Sequence, residues 1–238
     1  MRHSAKMNIR IAMIATLLAS PLFAQTSFAE DRSLALDMKH KQCLERIAVD
    51  SDLAYEEAMI WRDEGGGRRA KHCEAMALFA LGHEGEAARR LDLLAVASDG
   101  GSPAMRADFY AEAANFWLSA NETLKAYESA SAGLELKYDH LDLRIARARS
   151  YAATGRYDYA ETDLTSVLTL SPGHADALRY RADAKLKQDR LDEAKIDIEA
   201  SLDADPTAVE TALLRGQINE AIRLASKPVQ PTEETPSE

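Results

Sequence analysis

The chain is poor in the residues that favour sheets and in the basic charge that nucleic-acid binding requires. Only 6% of its 238 residues are aromatic, and it contains 11 glycines, 7 prolines and 2 cysteines. Sheets favour aromatic and β-branched residues, whereas the apolar 46% of this sequence is rich in alanine, which suits closely packed helices. The formal net charge of −10 provides no basic surface for phosphate groups, so we expect no nucleic-acid partner.

The N-terminal segment has the pattern of a secretory signal peptide. Basic residues up to Arg10 precede a short apolar run, and Ser27-Phe28-Ala29 places small residues at the −3 and −1 positions of a cleavage site. We expect residues 1–29 to be removed after about Ala29, and the mature protein to be periplasmic or secreted. The apolar run is too short and too interrupted to span a bilayer, so we expect no stable membrane insertion after cleavage; a non-cleaved anchor is the alternative.

Residues 141–174 and 175–208 align with each other without a gap and form an internal sequence repeat. An interval of 34 residues separates the members of three pairs: Pro172 and Pro206, Ala148 and Ala182, Ala160 and Ala194. A constant period of about 34 residues with small residues at fixed points is typical of the tetratricopeptide (TPR) helix–turn–helix unit, and this stretch resembles that family. We predict the alanines where the two helices of a unit cross, because larger side chains would force them apart.

The resemblance implies an all-α protein, a right-handed α-solenoid of helix–turn–helix repeats that ends in a capping helix. The predicted segments are a degenerate helical pair at 30–67, repeats at 68–101, 107–140, 141–174 and 175–208, a capping helix at 207–226 and a disordered tail at 227–238. In the degenerate pair, Asp52 is placed to cap a helix that starts at Leu53.

The N-terminal part also resembles a narrower group. Tyr55-Glu56-Glu57-Ala58, Trp61, the glycines 65–67 and His72-Cys73-Glu74-Ala75 look like secreted TPR proteins of alphaproteobacteria. That resemblance implies the fold and the compartment, and no activity. The glycine run lacks the Lys-Ser/Thr ending of a phosphate loop, and no nucleophile motif is present, so we expect neither an enzyme nor a cofactor.

The two cysteines, Cys43 and Cys73, are each predicted in the first helix of a unit. Because the first helices of adjacent TPR units touch, we predict a Cys43–Cys73 disulfide, which an oxidising compartment favours; two buried free thiols are the alternative. A zinc site built from His40, Cys43, His72 and Cys73 is a rival interpretation. The neighbours His72 and Cys73 point about 100° apart around a helix, which makes convergence on one ion difficult, so we predict no metal.

The concave side of a TPR stack is lined by the first helices. Five side chains are predicted to face this groove from their positions in the repeats: Asn115, Arg149, Arg179, Asp183 and Lys187. TPR proteins that grip a partner's C-terminal carboxylate carry Lys and Asn at two such positions, and here only Asn115 matches. The two arginines suit an acidic or extended peptide, while a solvated polar face without a ligand is the alternative.

The sequence therefore favours a non-enzymatic scaffold or adaptor that binds a protein or peptide partner in the periplasm through its concave surface. An accessory factor for cell-envelope assembly, which binds peptidoglycan or its enzymes, is one alternative, and a zinc-dependent enzyme is another. The sequence indicates neither the identity of the partner nor the oligomeric state.

Overall fold

A computed structural model of the chain describes the backbone of residues 22–227 and the side chains of residues 32–227. These residues form eleven α-helices, each packed against its neighbours in sequence. The helices are α1 Leu22–Ile47, α2 Ser51–Asp63, α3 Gly67–Ala80, α4 Glu84–Val96, α5 Pro103–Ser119, α6 Thr123–Leu136, α7 Leu141–Ala153, α8 Tyr157–Leu170, α9 Ala175–Leu186, α10 Leu191–Ala204 and α11 Val209–Ala225.

Two predicted segments lie wholly or partly outside the described residues. The predicted signal peptide is described only from residue 22 onward, and the expected cleavage point after Ala29 falls within α1. The predicted tail is described only at Lys227. Within residues 22–227, no helix combines the length and the apolar character that crossing a membrane requires.

Helices α3 to α10 form four consecutive pairs, each joined by a turn of three or four residues. Every one of these turns contains a residue with a positive φ: Gly82 at 81°, Asn121 at 59°, Gly155 at 75° and Asp189 at 56°. This left-handed conformation carries no steric penalty for glycine, and Asn and Asp tolerate it best among the other residues. The recurring choice of Gly, Asn or Asp therefore fixes where each pair reverses direction.

The crossing point within each pair is built from alanines, as the sequence predicts. Eight of them are 0–1% exposed: Ala75, Ala87, Ala114, Ala126, Ala148, Ala160, Ala182 and Ala194. Contact between successive pairs is equally tight at Gly133, where a Cβ atom would lie 2.6 Å from Leu143 Cδ1 and 2.9 Å from Tyr110 Cβ. Such close approach of helix backbones excludes larger side chains.

Ion pairs between the two helices of a pair recur with a sequence separation of 16 residues. The three pairs are Glu74–Arg90, Arg147–Asp163 and Arg181–Asp197. The carboxylates are 1–4% exposed, and in the first pair the acid and the base have exchanged helices. In α5 and α6 the equivalent positions are Ala113 and Ser129, and the Ser129 hydroxyl donates to Asp92 Oδ1 at 2.7 Å. Three of the four pairs thus carry an ion pair between their own two helices, whereas Ser129 of α6 is linked to α4 of the preceding pair.

The first two helices differ from the prediction at one cap. Helix α2 begins at Ser51, and its N-cap is Asp50, whose Oδ1 accepts a hydrogen bond from the Leu53 backbone N–H at 3.0 Å. The prediction that Asp52 caps this helix was wrong because the helix begins two residues earlier than expected. Asp52 lies in the first turn instead, where a negative charge suits the helix dipole.

Candidate functional site

The candidate site is the face formed by α1, α3, α5, α7 and α9, which we call the first helices; α2, α4, α6, α8 and α10 are the second helices. Three of the four successive pairs of first helices contact one another directly, namely α1 with α3, α5 with α7, and α7 with α9, and the last first helix, α9, contacts α11. Within residues 22–227, no two second helices make comparable contact. The stack is therefore tighter on the first-helix side, which makes that side concave.

A row of polar and aromatic side chains runs across α5, α7 and α9. Arg149 Nη1 donates to Asn115 Oδ1 at 2.9 Å, and the Arg149 guanidinium lies 5.3 Å from the centre of the Tyr180 ring. Arg179 lies 4.1 Å from the same ring, and its Nη2 donates to Asp176 Oδ1 at 2.8 Å. Cation–π contacts of this kind hold both guanidinium groups against the aromatic surface.

The structure thus brings three of the predicted groove residues together and places Asp183 further along α9 and Lys187 at its C-cap. Half-buried Asp183 and exposed Lys187 follow Arg179 at intervals of four residues, which is one helical turn each. Sequence positions alone missed Tyr180, which lies between the two arginines in space. Its only signal was an aromatic residue beside Arg179, in a first helix that is otherwise rich in alanine and charge.

Arg149 differs from the other arginines that lie near this row. Arg179 has Asp176, and Arg147 and Arg181 have the buried carboxylates Asp163 and Asp197. Arg149 instead contacts an amide and an aromatic ring, and within residues 32–227 no carboxylate forms an ion pair with it. Its positive charge is therefore available to a carboxylate from another molecule.

The N-terminal half of the same face carries a chain of hydrogen-bonded histidines. His40 Nε2 in α1 lies 2.9 Å from His72 Nδ1 in α3, and His72 Nε2 lies 2.7 Å from Glu112 Oε2 in α5. The carboxylate requires a proton on His72 Nε2, so Nδ1 accepts the hydrogen bond from His40. Burial is the main cause that lowers the pKa of His40 to about 4, and the electrostatic influence of the neighbouring His72 and Arg69 side chains adds to it.

The Cys43 and Cys73 sulfur atoms are bonded to each other in the structure, with 6.3 Å between the two Cα atoms. This bond joins α1 to α3, the same two helices that the His40–His72 hydrogen bond joins. The four residues of the rival zinc interpretation therefore form two separate contacts between α1 and α3, His40 with His72 and Cys43 with Cys73. In the described part of the chain, no group of three or more His, Cys, Asp or Glu side chains is arranged to hold a metal ion.

A small acidic cleft of about 190 Å³ lies between these two halves of the face. His140 Nε2 at the start of α7 lies 3.0 Å from Asp108 Oδ1 in α5, and Asp142 lies on the same wall. The concave face is thus acidic near α5 and carries the unpaired cation Arg149 towards α9.

Among the comparisons with known proteins, the one with solved structures supports the fold. No family model and no curated protein sequence matches the chain. Among solved structures, the crystal structure of MamA matches 68% of this chain and 92% of its own, with a TM-score of 0.58 and 17% identity. The crystal structure of TTC0263, a thermophilic TPR protein in Thermus thermophilus, matches 77% of this chain and 99% of its own, with a TM-score of 0.56 and 18% identity. At these identities the likeness establishes the fold alone: an all-α stack of helices packed like TPR repeats.

Proposed function

We propose that this TPR-fold protein is a non-enzymatic scaffold that binds an extended, acidic segment of a protein partner along its concave face. The observation that carries the proposal is the row formed by Asn115, Arg149, Tyr180 and Arg179 on three successive first helices. It offers one guanidinium without an acidic partner, a second beside it and an aromatic surface between them, which together suit a carboxylate on a peptide.

The dimensions of the row set the length of the segment. Packed helices lie about 8–10 Å apart, so the distance from α5 to α9 is about 16–20 Å. An extended chain advances about 3.3 Å per residue, so roughly five or six residues cover the row. Because Asp108 and Asp142 leave the α5–α7 end acidic, the segment's acidic residues belong near Arg149 and Arg179, and any basic residue belongs at the opposite end.

We also propose that the protein works in the periplasm after removal of residues 1–29. The basic start, the short apolar run and Ser27-Phe28-Ala29 support export, and a disulfide between Cys43 and Cys73 suits an oxidising compartment. Cell fractionation followed by N-terminal sequencing tests this. We expect a mature chain that begins at about Glu30 in the periplasmic fraction, and an unprocessed chain in the cytoplasm would refute it.

A peptide array tests the binding proposal directly. Six-residue peptides graded in acidic content are probed with the wild-type protein, with the Arg149→Ala/Arg179→Ala double variant, and with Lys195→Ala as a control that removes a positive charge elsewhere. Lys195 is exposed on the second helix α10, away from the groove. Hydrogen bonds to charged groups contribute about 1.5–3 kcal/mol each, so we expect the double variant to lose at least about tenfold in affinity for acidic peptides.

The control separates a specific groove from general electrostatic attraction. We expect Lys195→Ala to bind acidic peptides as the wild type does. Equal binding by the wild type and the Arg149→Ala/Arg179→Ala variant, or an equal loss in both variants, would show that the row does not recognise acidic segments.

A further inference from the structure

We infer that the cleft between α4 and α6 is a binding site for a primary alkylammonium group, such as the one that a lysine side chain carries. The cleft has a volume of about 370 Å³, and its walls include Asp92 of α4, Tyr110 and Trp117 of α5, and Lys125, Glu128 and Ser129 of α6. It lies on the second-helix side of the stack, so the inference goes beyond the function proposed for the concave face.

The cleft exists because the stack is open on this side. Helices α4 and α6 both pack against α5, but within residues 22–227 they make no comparable contact with each other. The Ser129 hydroxyl of α6 donates to Asp92 Oδ1 of α4 at 2.7 Å and joins the two helices at the cleft. The gap between the two second helices therefore opens to solvent beside the Asp92 carboxylate.

Asp92 is a half-buried carboxylate that has no cationic partner. Its Oδ2 accepts a hydrogen bond from the Trp117 indole N–H at 2.7 Å, and its Oδ1 accepts the one from Ser129. Both donors are neutral, and within residues 32–227 no Lys, Arg or His forms an ion pair with Asp92. Burial is the main cause that raises the pKa of Asp92, and the neighbouring Glu128 adds to it. Each oxygen of a carboxylate has two acceptor positions, so one on each remains for a ligand.

The next pair of helices shows which side chains are missing here. The buried carboxylate Asp163 contacts two cations of its own pair, Arg144 at 3.1 Å and Arg147 at 2.7 Å. One interval of 34 residues earlier in the sequence, these two positions are Tyr110 and Ala113. Helix α5 thus carries an aromatic and a small side chain where α7 carries two arginines. The carboxylate at the cleft is left to pair with a cation from another molecule.

Trp117 adds a surface against which a cation packs. Lys125 Nζ lies 4.5 Å from the centre of the Trp117 ring, so this ring already takes part in a cation–π contact. The same Nζ lies 3.4 Å from Glu122 Oε2, which offsets its charge. An aromatic ring beside a carboxylate suits an alkylammonium ion, because the ring covers the alkyl chain while the carboxylate accepts its N–H groups.

Charge and size both favour a primary ammonium as the ligand. Asp92 and Glu128 leave the cleft negative, since Glu122 offsets the charge of Lys125, so an anion is repelled. A primary ammonium has three N–H donors, which two carboxylates accept together. Small-molecule sites usually have volumes of roughly 300–1,000 Å³, and this cleft lies at the lower end of that range, as an unbranched chain of a few carbons requires.

NMR titration of the full chain tests the inference at the site itself. The Trp117 indole N–H donates to Asp92, so its resonance reports a cation that arrives there, and the other tryptophan, Trp61, is the internal reference. The probes are n-butylamine, the N-methylamide of N-acetyl-lysine, and n-butanol as an uncharged control. We expect both amines to shift the Trp117 resonance to saturation, and n-butanol to bind at least about tenfold more weakly. Tighter binding of the lysine compound would identify a protein side chain as the source of the ammonium, and equal binding a free amine.

Variants distinguish recognition of the ammonium from a structural role of Asp92. Asp92→Asn keeps an acceptor for the indole N–H and should weaken binding of both amines at least about tenfold, because the charge is lost. Glu128→Gln should weaken binding about two- to fivefold, and Lys125→Met, which removes a competing positive charge, should strengthen it by a similar factor. Glu210→Gln, an exposed residue on α11, is the control and should leave the affinity unchanged.

Several results would overturn the inference. One is the absence of a saturable shift of the Trp117 resonance with either amine, as a purely structural role of Asp92 predicts. Another is equal affinity for n-butylamine and n-butanol, which would mean that the cleft recognises the alkyl chain alone. A third is wild-type affinity in Asp92→Asn, or weaker binding in Lys125→Met, with unchanged helical circular dichroism; either would mean that the cleft does not recognise positive charge.

Discussion

Replacing Asp197 by asparagine tests whether buried ion pairs hold the helix pairs together. Asp197 is 3% exposed, and it accepts hydrogen bonds from Arg181 Nε at 2.8 Å, Arg181 Nη2 at 2.7 Å and Lys185 Nζ at 2.8 Å. The side chains of Arg181 and Lys185 are only 19% and 9% exposed, so water does not readily replace the carboxylate. An asparagine amide at this position would keep one acceptor oxygen and would turn a donor group towards the two cations.

We expect Asp197→Asn to cause a large loss of folding stability, although it replaces only one carboxylate oxygen by an amide nitrogen. Removing one partner of a buried ion pair typically costs about 3–5 kcal/mol, because the remaining charge is left buried without compensation. Replacing all three side chains, as Arg181→Met/Lys185→Met/Asp197→Leu, should recover most of that loss, since apolar groups of similar volume are often equivalent to a buried pair.

Hydrogen exchange of the backbone amides measures this effect where it occurs, because a helical repeat stack can open locally. Amides of α9 and α10 should lose protection by on the order of 10²–10⁴-fold in Asp197→Asn. Glu220→Gln, in an exposed ion pair with Arg223 on α11, is the control and should show no comparable change. Equal protection in the two variants would refute the reasoning.

Acid provides a second check on the same residue. Burial by itself raises the pKa of Asp197, but the hydrogen bonds from Arg181 and Lys185 outweigh burial and lower the pKa below 3.8. A carboxyl group whose pKa is lower in the folded state stabilises the fold above its unfolded-state pKa, and this stabilisation is lost as the pH falls through the folded-state pKa. The difference in folding stability between the wild type and Asp197→Asn should therefore be constant near neutral pH and should decrease only in acid, below about pH 4.

Four further changes have distinct expected outcomes, each measured by urea denaturation. Gly133→Ala should destabilise the protein by about 1–3 kcal/mol, because the new methyl group meets a leucine of α7 and the Cβ of a tyrosine of α5. Gly216→Ala has open space around the new methyl group and should stabilise α11 by about 0.5–1 kcal/mol. Cys43→Ser should cost about 3–4 kcal/mol of folding stability, since the disulfide closes a loop of 30 residues, and should expose α1 to proteolysis. Trp117→Phe removes the hydrogen bond that the indole N–H donates to Asp92, and should cost about 1–3 kcal/mol of folding stability. Burial already raises the pKa of Asp92, and NMR titration should show a further rise in the variant because this hydrogen bond lowers the pKa.

The apolar contacts between helices were predictable because the small residues that form them recur at a constant interval in the sequence. The buried alanines at positions such as Ala148 and Ala182 are 34 residues apart because each repeat reproduces one helix crossing. The turns were predictable for the same reason where the residue is glycine, as at Gly155. Asn121 and Asp189 occupy equivalent turns, but their side chains are common elsewhere and gave no comparable signal.

The polar contacts were harder to predict because they depend on how the helices cross. The separation of 16 residues that joins Arg147 to Asp163 is visible in the sequence, yet the pair Glu74–Arg90 reverses the charges, so a search for one fixed polarity misses it. The prediction that His72 and Cys73 point in different directions around their own helix agrees with their contacts, since each meets a different residue of α1. The prediction did not take account of α1, which packs against α3 and supplies a partner to each of the two side chains.

The concave face also has a second function within the fold, which limits how it binds a partner. Polar pairs between first helices recur at a separation of 32 residues, as in His40–His72 and Asp108–His140, so these groups already link adjacent units. Arg149 takes part in such a link only through the neutral amide of Asn115. A partner carboxylate that displaces this amide gains a charge-assisted hydrogen bond but breaks a link between α5 and α7, so its net contribution is the difference between the two. Asn115→Ala should therefore free the Arg149 guanidinium, strengthen binding of acidic peptides and reduce hydrogen-exchange protection at the α5–α7 contact; weaker peptide binding in that variant would mean that Asn115 is itself part of the recognition site.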